Sequence, residues 1–387
     1  MRELAIKLYL WGTGLVFSLF NVFPLVNKTV FLVSFPENPK MIYDEMLSTK
    51  INSKIIFLCH SRCAKTFKNT KGKVYAFESR NVFHGIIGLF HLATARYVIM
   101  DNYYGCLSAI SFRKEVKRVQ VWHAAGAIKR FGLRNPRNIE RTSLALIRFQ
   151  QVYNNFGKIV VGSEAMASIF KDAFKTADFL RTGVPRTDFF FHKNAAAAIR
   201  QRLEAKEPLF AQKKVILYAP TFRESKNQLE SLPIDIASMA KALNEDWVLV
   251  LKLHPSVSAD RGLLEAYNGF VKDYSSYSSI NELFLITDIL ITDYSSIPME
   301  FSFLKKKMIF FAYDLNEYEK TSGFWEPYVS SVPGPVAYTT EEVIAAIKDP
   351  TVDLEAIEAF HRKWNTYSTG ESSQKLLNYL FTEPSNK

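Results

Sequence analysis

Cysteine is scarce, with only Cys59, Cys63 and Cys106 among 387 residues. So small and odd a number cannot build a disulfide framework, and a chain this long buries enough apolar surface to need none, so a reducing compartment is expected. Cys59, His60 and Cys63 lack CxxC spacing and no second pair follows, which argues against a zinc site. Acidic residues are also short, 38 Asp and Glu against 49 Lys and Arg, a formal net charge of +11. Residues 1–210 hold 32 of the 49 cations and only 14 of the 38 acids, leaving +18 there and −7 in the remainder. A basic first half attracts polyanions: nucleic acid, an anionic membrane surface or a diphosphate-bearing substrate. No repeat of 20 to 50 residues, low-complexity tract or sustained heptad pattern occurs, excluding solenoid, collagen-like and coiled-coil architectures.

With 48% apolar and 22% charged residues the chain is neither disordered nor a multispan membrane protein. Its length suits about two domains at roughly 100 to 200 residues each. One long stretch, residues 8–27, carries no charge. It is long enough to span a bilayer. Gly12, Gly14, Asn21 and Pro24 interrupt it, however, no small-residue cleavage site follows, and Lys28 leads at once into strand-like residues 29–35. An interfacial helix is expected, with Trp11, Phe17 and Phe20 in the headgroup region and Arg2, Lys7 and Lys28 on anionic lipid. A true span and a helix packed on the core are the alternatives.

Beyond residue 28 short β-branched runs alternate with turns and helix-length stretches, the pattern of an α/β fold. Strands are expected at 30–35, 54–58, 97–100, 118–122, 158–162 and 178–182, then at 213–218, 247–253, 288–292 and 308–311. Most are near-continuous apolar runs, as parallel strands covered on both faces require. Residues 192–214 read as a helix and then a polar connection around Glu207-Pro208, coinciding with the charge reversal, so a domain boundary is expected near residue 205. Two Rossmann-like, doubly wound domains facing across a cleft are expected, with ligands at the carboxyl ends of strands. Helices are expected at 340–347, 354–364 and 372–381.

Several strand ends carry polar, turn-forming motifs. Trp122-His123-Ala124-Ala125-Gly126 sets a histidine at a strand end before small residues that would let a ligand approach, which suits a general base; a satisfied histidine above a tight turn is the structural alternative. Lys252-Leu253-His254-Pro255 places a second histidine at a strand end whose exit Pro255 fixes. In residues 291–300, ITDYSSIPME, a strand and turn lead into a helix start. There Ser295 and Ser296 cap the helix or hold a diphosphate, and Glu300 would reach ribose hydroxyls. Arg186, in TGVPR, suits bidentate phosphate recognition, with a surface salt bridge to Asp188 as its alternative. Pro220 and Thr221 lie in APTFR, residues 219–223.

Together these motifs resemble the CDP-glycerol glycerophosphotransferase family of teichoic acid synthesis, over roughly residues 25–385. The most specific stretch is 291–328, where ITDYSSIPMEF, KKKMIFFAYDLNEY and GFWEPY look like family blocks. The resemblance implies a GT-B arrangement: an N-terminal membrane-associating segment (1–27), an acceptor domain (28–205) and a CDP-glycerol-binding domain (206–387). By the same resemblance His123 is the base, His254 assists at the phosphates, and the donor is held by Trp122, Ala124, Ala125, Gly126, Arg186, Pro220, Thr221, Lys252, Leu253, Ser295, Ser296 and Glu300. WHAAG in place of the polymerases' WHGTP looks more like the primase branch. The implied reaction is one glycerol phosphate passed from CDP-glycerol to an undecaprenyl-diphosphate-linked ManNAc-GlcNAc disaccharide, releasing CMP, on the cytoplasmic face of the membrane. Other teichoic acid enzymes are the implied partners.

The alternatives are a glycerol-phosphate or ribitol-phosphate polymerase of the same family and a GT-B glycosyltransferase using a nucleotide sugar. Lys and Arg are spread over many segments without a recognised motif, against nucleic-acid binding. No carboxylate pair adjoins the phosphate motif, so no cofactor is expected, with Mg²⁺ accompanying the substrate left open.

Overall fold

The computed structural model describes residues 1–79, 81–223, 232–254, 257 and 260–382; Pro255 and the side chain of Arg2 lie outside the described residues. The chain forms two compact units. The first comprises residues 1–125, 131–188 and 365–387, the second 126–130 and 189–364.

In the first unit seven parallel strands lie in the order β3-β2-β1-β4-β5-β6-β7. They are β1 (Val26–Val33), β2 (Lys54–Cys59), β3 (Lys73–Ala76), β4 (Ala95–Met100), β5 (Lys117–Gln120), β6 (Lys158–Val160) and β7 (Phe179–Leu180). Strand order reverses between β1 and β4, paired from Val26 opposite Ala95 to Leu32 opposite Met100. A crevice at such a reversal, beyond the carboxyl ends of the strands, is where open α/β sheets take ligands. Phe31, Val33, Phe57, Ile99 and Val119 form one side of the core with Ile42 and Met46 of helix α2 (Glu37–Ser48). Leu376, Leu377 and Leu380 of the Ser372–Phe381 helix join that core.

That C-terminal helix is held at both ends. The Asp188 carboxylate accepts the backbone N–H groups of Ser372 (2.9 Å) and Ser373 (2.7 Å), and Lys117 Nζ donates to the last-turn carbonyls of Tyr379 (3.1 Å) and Leu380 (2.7 Å). A carboxylate at the N-terminus and a cation at the C-terminus both complement the helix dipole. The chain therefore does not divide near residue 205, because the last helix returns to the first unit. The Lys193–Lys206 helix packs on the Ile280–Ile286 helix, and Phe190 stacks on Phe303 at 5.1 Å, so the second unit begins at residue 189. The polar Glu207-Pro208 stretch lies inside that unit.

The second unit holds six parallel strands in the order β10-β9-β8-β11-β12-β13. They are β8 (Lys214–Tyr218), β9 (Trp247–Leu251), β10 (Val271–Asp273), β11 (Ile289–Thr292), β12 (Lys307–Phe311) and β13 (Val336–Ala337). Here the order reverses between β8 and β11, with Ile291 opposite Tyr218.

Helix α1 (Arg2–Phe20) packs on the Val82–Ala93 helix and on the β4–β5 connection. A Cβ on Gly14 would stand 2.8 Å from the Ala109 carbonyl oxygen, so only glycine permits that approach. Phe17 is buried edge-on to Phe112, and Phe20 packs edge-on to Phe90. Lys28 is buried in β1, its Nζ donating to Thr94 Oγ1 at 2.5 Å, and burial lowers its pKa to about 8. Phe17, Phe20 and Lys28 are thus committed to the fold rather than to lipid. The exposed side of α1 carries Leu4, Leu8, Trp11, Leu15 and Leu19 at helical spacing.

Candidate active site

In the first unit the residues beyond β1, β4 and β5 converge on His123. Trp122 takes a left-handed conformation, φ 56°, which a bulky residue adopts only where its surroundings enforce it. Gln120 Oε1 accepts the Trp122 N–H at 2.9 Å, while Asn38 Nδ2 donates to the carbonyls of Val121 (3.1 Å) and Trp122 (2.8 Å). The indole is buried among Phe131, Phe170 and Phe174, so Trp122 is a core anchor whose backbone turns the next residue out.

His123 emerges stacked on Phe35, ring centroids 4.3 Å apart and planes 19° from parallel. Its Nδ1 lies 3.1 Å from the Asp101 carbonyl oxygen. A carbonyl only accepts, so Nδ1 carries the proton and the lone pair falls on Nε2. Arg186, 7% exposed, donates from Nη1 to the His123 carbonyl at 2.7 Å, and its backbone N–H donates to Asn38 Oδ1 at 2.7 Å. Arg186 is therefore brought to His123 and is no surface residue. Its expected partner Asp188 is the cap of the last helix instead.

The small residues after His123 are already filled. Ala125 is fully buried, and a Cβ on Gly126 would meet Met299 at 2.7 Å and Trp364 at 2.8 Å. Close packing therefore accounts for the small size of Ala125 and Gly126. Ala124 is buried too.

In the second unit the ends of β8 and β11 are joined by Asp293. Its Oδ1 accepts the N–H groups of Thr221 (2.8 Å) and Tyr294 (2.7 Å), and its Oδ2 takes Arg223 Nη2 at 2.9 Å. Arg223 also forks onto Asp314, Nε to Oδ2 at 2.8 Å and Nη2 to Oδ1 at 2.9 Å. The rings of Tyr294 and Tyr318 lie 5.0 and 4.5 Å from the guanidinium. Burial works against this charge, but hydrogen bonds to Asp314 and the field of Asp293 outweigh it and hold the Arg223 pKa above its ordinary value. The Thr221 hydroxyl is buried without a hydrogen-bond partner among the described residues, next to Pro220.

The helix after Ser295 and Ser296, Ile297–Phe301, is a single turn running into a 3₁₀ turn, Ser302–Leu304, so its dipole is short. Ser295 Oγ accepts the Ile297 N–H at 3.3 Å, while the Ser296 side chain makes no capping bond. Glu300 is buried on that turn. His254 is exposed and stacks on Phe222 at 4.4 Å. Lys252 Nζ donates to the carbonyls of Ser275 and Tyr277, both at 2.7 Å, and Leu253 sits in the apolar core. Lys252, with the Leu253 N–H on Ser275 Oγ at 3.0 Å, thus ties the β9 end to the loop after β10.

A family model described as CDP-Glycerol:Poly(glycerophosphate) glycerophosphotransferase matches residues 15–382. The chain belongs to that family. It is accordingly an enzyme of the CDP-glycerol glycerophosphotransferase class with a role in teichoic acid synthesis. It is 36% identical over 385 residues to a teichoic acid glycerol-phosphate primase of Bacillus subtilis, covering 98% of each chain. It is 31% identical to a teichoic acid poly(ribitol-phosphate) polymerase of Bacillus spizizenii, over 95% of this chain and 59% of that one. In fold it is similar to the wall teichoic acid polymerase TagF, with a TM-score of 0.80 and 23% identity over 98% of this chain and 97% of that one. A UDP-GlcNAc 2-epimerase from Neisseria meningitidis is similar at a TM-score of 0.60 and 16% identity, over 92% of this chain and 99% of the epimerase.

Asp101, Asn38 and Gln120 escaped the sequence reading. Asp101 had a signal, since it ends the buried run 97–100 as His123 ends the run before it. Asn38, inside α2, had none.

Proposed function

We propose that the enzyme transfers a single glycerol phosphate from CDP-glycerol to an undecaprenyl-diphosphate-linked ManNAc-GlcNAc disaccharide, releasing CMP, as the priming step of teichoic acid synthesis. The observation carrying the chemistry is the His123 ring, with Nδ1–H on the Asp101 carbonyl and its lone pair on Nε2. In this reading Nε2 takes the proton of the acceptor hydroxyl as its oxygen attacks the glycerol-bearing phosphorus, and the bond to CMP breaks in line. Thr221, Ser295 and Ser296, at the strand-order reversal of the second sheet, bind the diphosphate with His254; within the first unit Arg186 places positive charge beside His123. Identity to the primase and the WHAAG motif support priming over polymerisation. Incubating the protein with CDP-glycerol and the lipid-linked disaccharide should yield a product heavier by one glycerol phosphate. A ladder of additions would make it a polymerase, and turnover with a UDP-sugar alone would make it a glycosyltransferase.

Attachment to the cytoplasmic face of the membrane belongs to the same proposal. Support comes from the exposed stripe on α1, where Trp11 is 69% exposed, and from Val82 and Phe83 at the start of the helix it packs against. An amphipathic face of this kind lies in the bilayer interface, and each nearby Lys or Arg adds about 1 kcal/mol on anionic lipid. Changing Leu8, Trp11 and Leu15 to Ser spares the buried Phe17. That variant should lose most vesicle binding in flotation assays while keeping activity on a short-tailed soluble acceptor within about twofold. Unchanged flotation would remove α1 from the membrane reading.

A further inference from the structure

We propose that Asp101 is a positioning residue for His123, gripping the ring from two sides through its own carbonyl and through the Phe35 loop. The inference rests on His123 acting as the base. Asp101 ends β4, beside β1 at the strand-order reversal, and is fully buried. Its carboxylate accepts the backbone N–H groups of Ser34 (2.9 Å) and Phe35 (2.8 Å) and the Tyr104 hydroxyl (2.7 Å). Those bonds fix the turn after β1, and with it the Phe35 ring on which His123 stacks. Arg62 closes the arrangement from behind, its Nε donating to the Ser34 carbonyl at 3.0 Å and its guanidinium 4.6 Å from the Phe35 ring. The carbonyl of the same Asp101 receives His123 Nδ1–H, so one residue sets both the tautomer and the plane of the ring.

A carboxylate so placed is costly for the fold, and burial raises the Asp101 pKa to about 7 despite the three hydrogen bonds. Glu37 at the start of α2 raises it further. The other titratable groups around it are Cys59 and Cys63, whose thiols burial pushes up to about 12 and about 11, Arg62, Tyr104, Glu78 beyond Tyr104, and His123. Because the folded pKa lies above the unfolded one, the associated stability is full at low pH and is lost as pH rises through about 7. The charged form grips the N–H groups better, so positioning improves over the same interval in which stability falls.

Asp101→Asn tests this in the full-length protein. It should lower kcat at pH 8 about tenfold and leave KM for CDP-glycerol within about twofold. Its Tm at pH 8 should be unchanged or higher, and the fall of Tm between pH 6 and 8 should shrink. The Nδ1–H tautomer should persist, because the Asp101 backbone carbonyl remains, while the ring proton shifts of His123 should move as the Phe35 ring is released, a readout that stands even if His123→Ala retains turnover and the base assignment fails. Phe35→Leu should lower kcat similarly, and the double variant should be no worse than the poorer single one, as expected for residues acting on one ring. If Asp101→Asn does not fold, Phe35→Leu must by itself lower kcat without raising KM. Unchanged kcat, a loss of kcat in parallel with Tm, undisturbed ring proton shifts of His123, or additive single-variant effects would overturn the proposal.

Discussion

His123→Ala should lower glycerol-phosphate transfer about 100-fold or more while leaving CDP-glycerol affinity and Tm nearly unchanged. The proposed donor contacts of Thr221, Ser295 and Ser296 lie on the second unit, so losing an imidazole from the first removes a proton acceptor rather than a ligand. The fold should tolerate the change because Trp122, not His123, fills the core, and Gln120 and Asn38 hold its left-handed backbone. Measuring turnover with saturating donor, beside donor affinity by calorimetry, separates the two effects. Near-normal turnover would remove His123 from the mechanism, whereas a matching loss of affinity would make it a binding residue.

Most of the strands legible in the sequence are covered on both faces, where apolar runs need no partner to be recognised. Lys73–Ala76, Val271–Asp273 and Val336–Ala337 escaped; all are short edge strands, but so is Phe179–Leu180, which was legible within residues 178–182. The division of the chain was misplaced for a related reason. Polarity around Glu207 imitates a linker, whereas the contacts that assign residues 189–206 to the second unit, such as Phe190 on Phe303, are invisible to composition. Lys28 shows the limit of charge reading, since a cation next to an apolar segment looked bound for lipid and is instead buried beside Thr94 and His91. At the candidate site, strand-end motifs located His123 and the Thr221 and Ser295 loops. What holds them, Asp101 under His123 and Asp293 between β8 and β11, depends on strands adjacent in space and distant in sequence.

The largest loss of stability is expected for Arg223→Met. Among the described residues Arg223 is the cation paired with both carboxylates at the strand-order reversal of the second sheet, and it is 7% exposed. Removing one partner of a buried ionic group leaves the other charges without compensation, typically at about 3–5 kcal/mol. Arg223→Lys should recover little, because an ammonium cannot span Asp314 with two parallel bonds and still reach Asp293. Urea denaturation at pH 8 measures the deficit directly. CDP-glycerol affinity should fall with stability at pH 8, since Asp293 would no longer order the N–H groups of Thr221 and Tyr294. A deficit below about 1 kcal/mol would show that the two carboxylates are compensated by other groups.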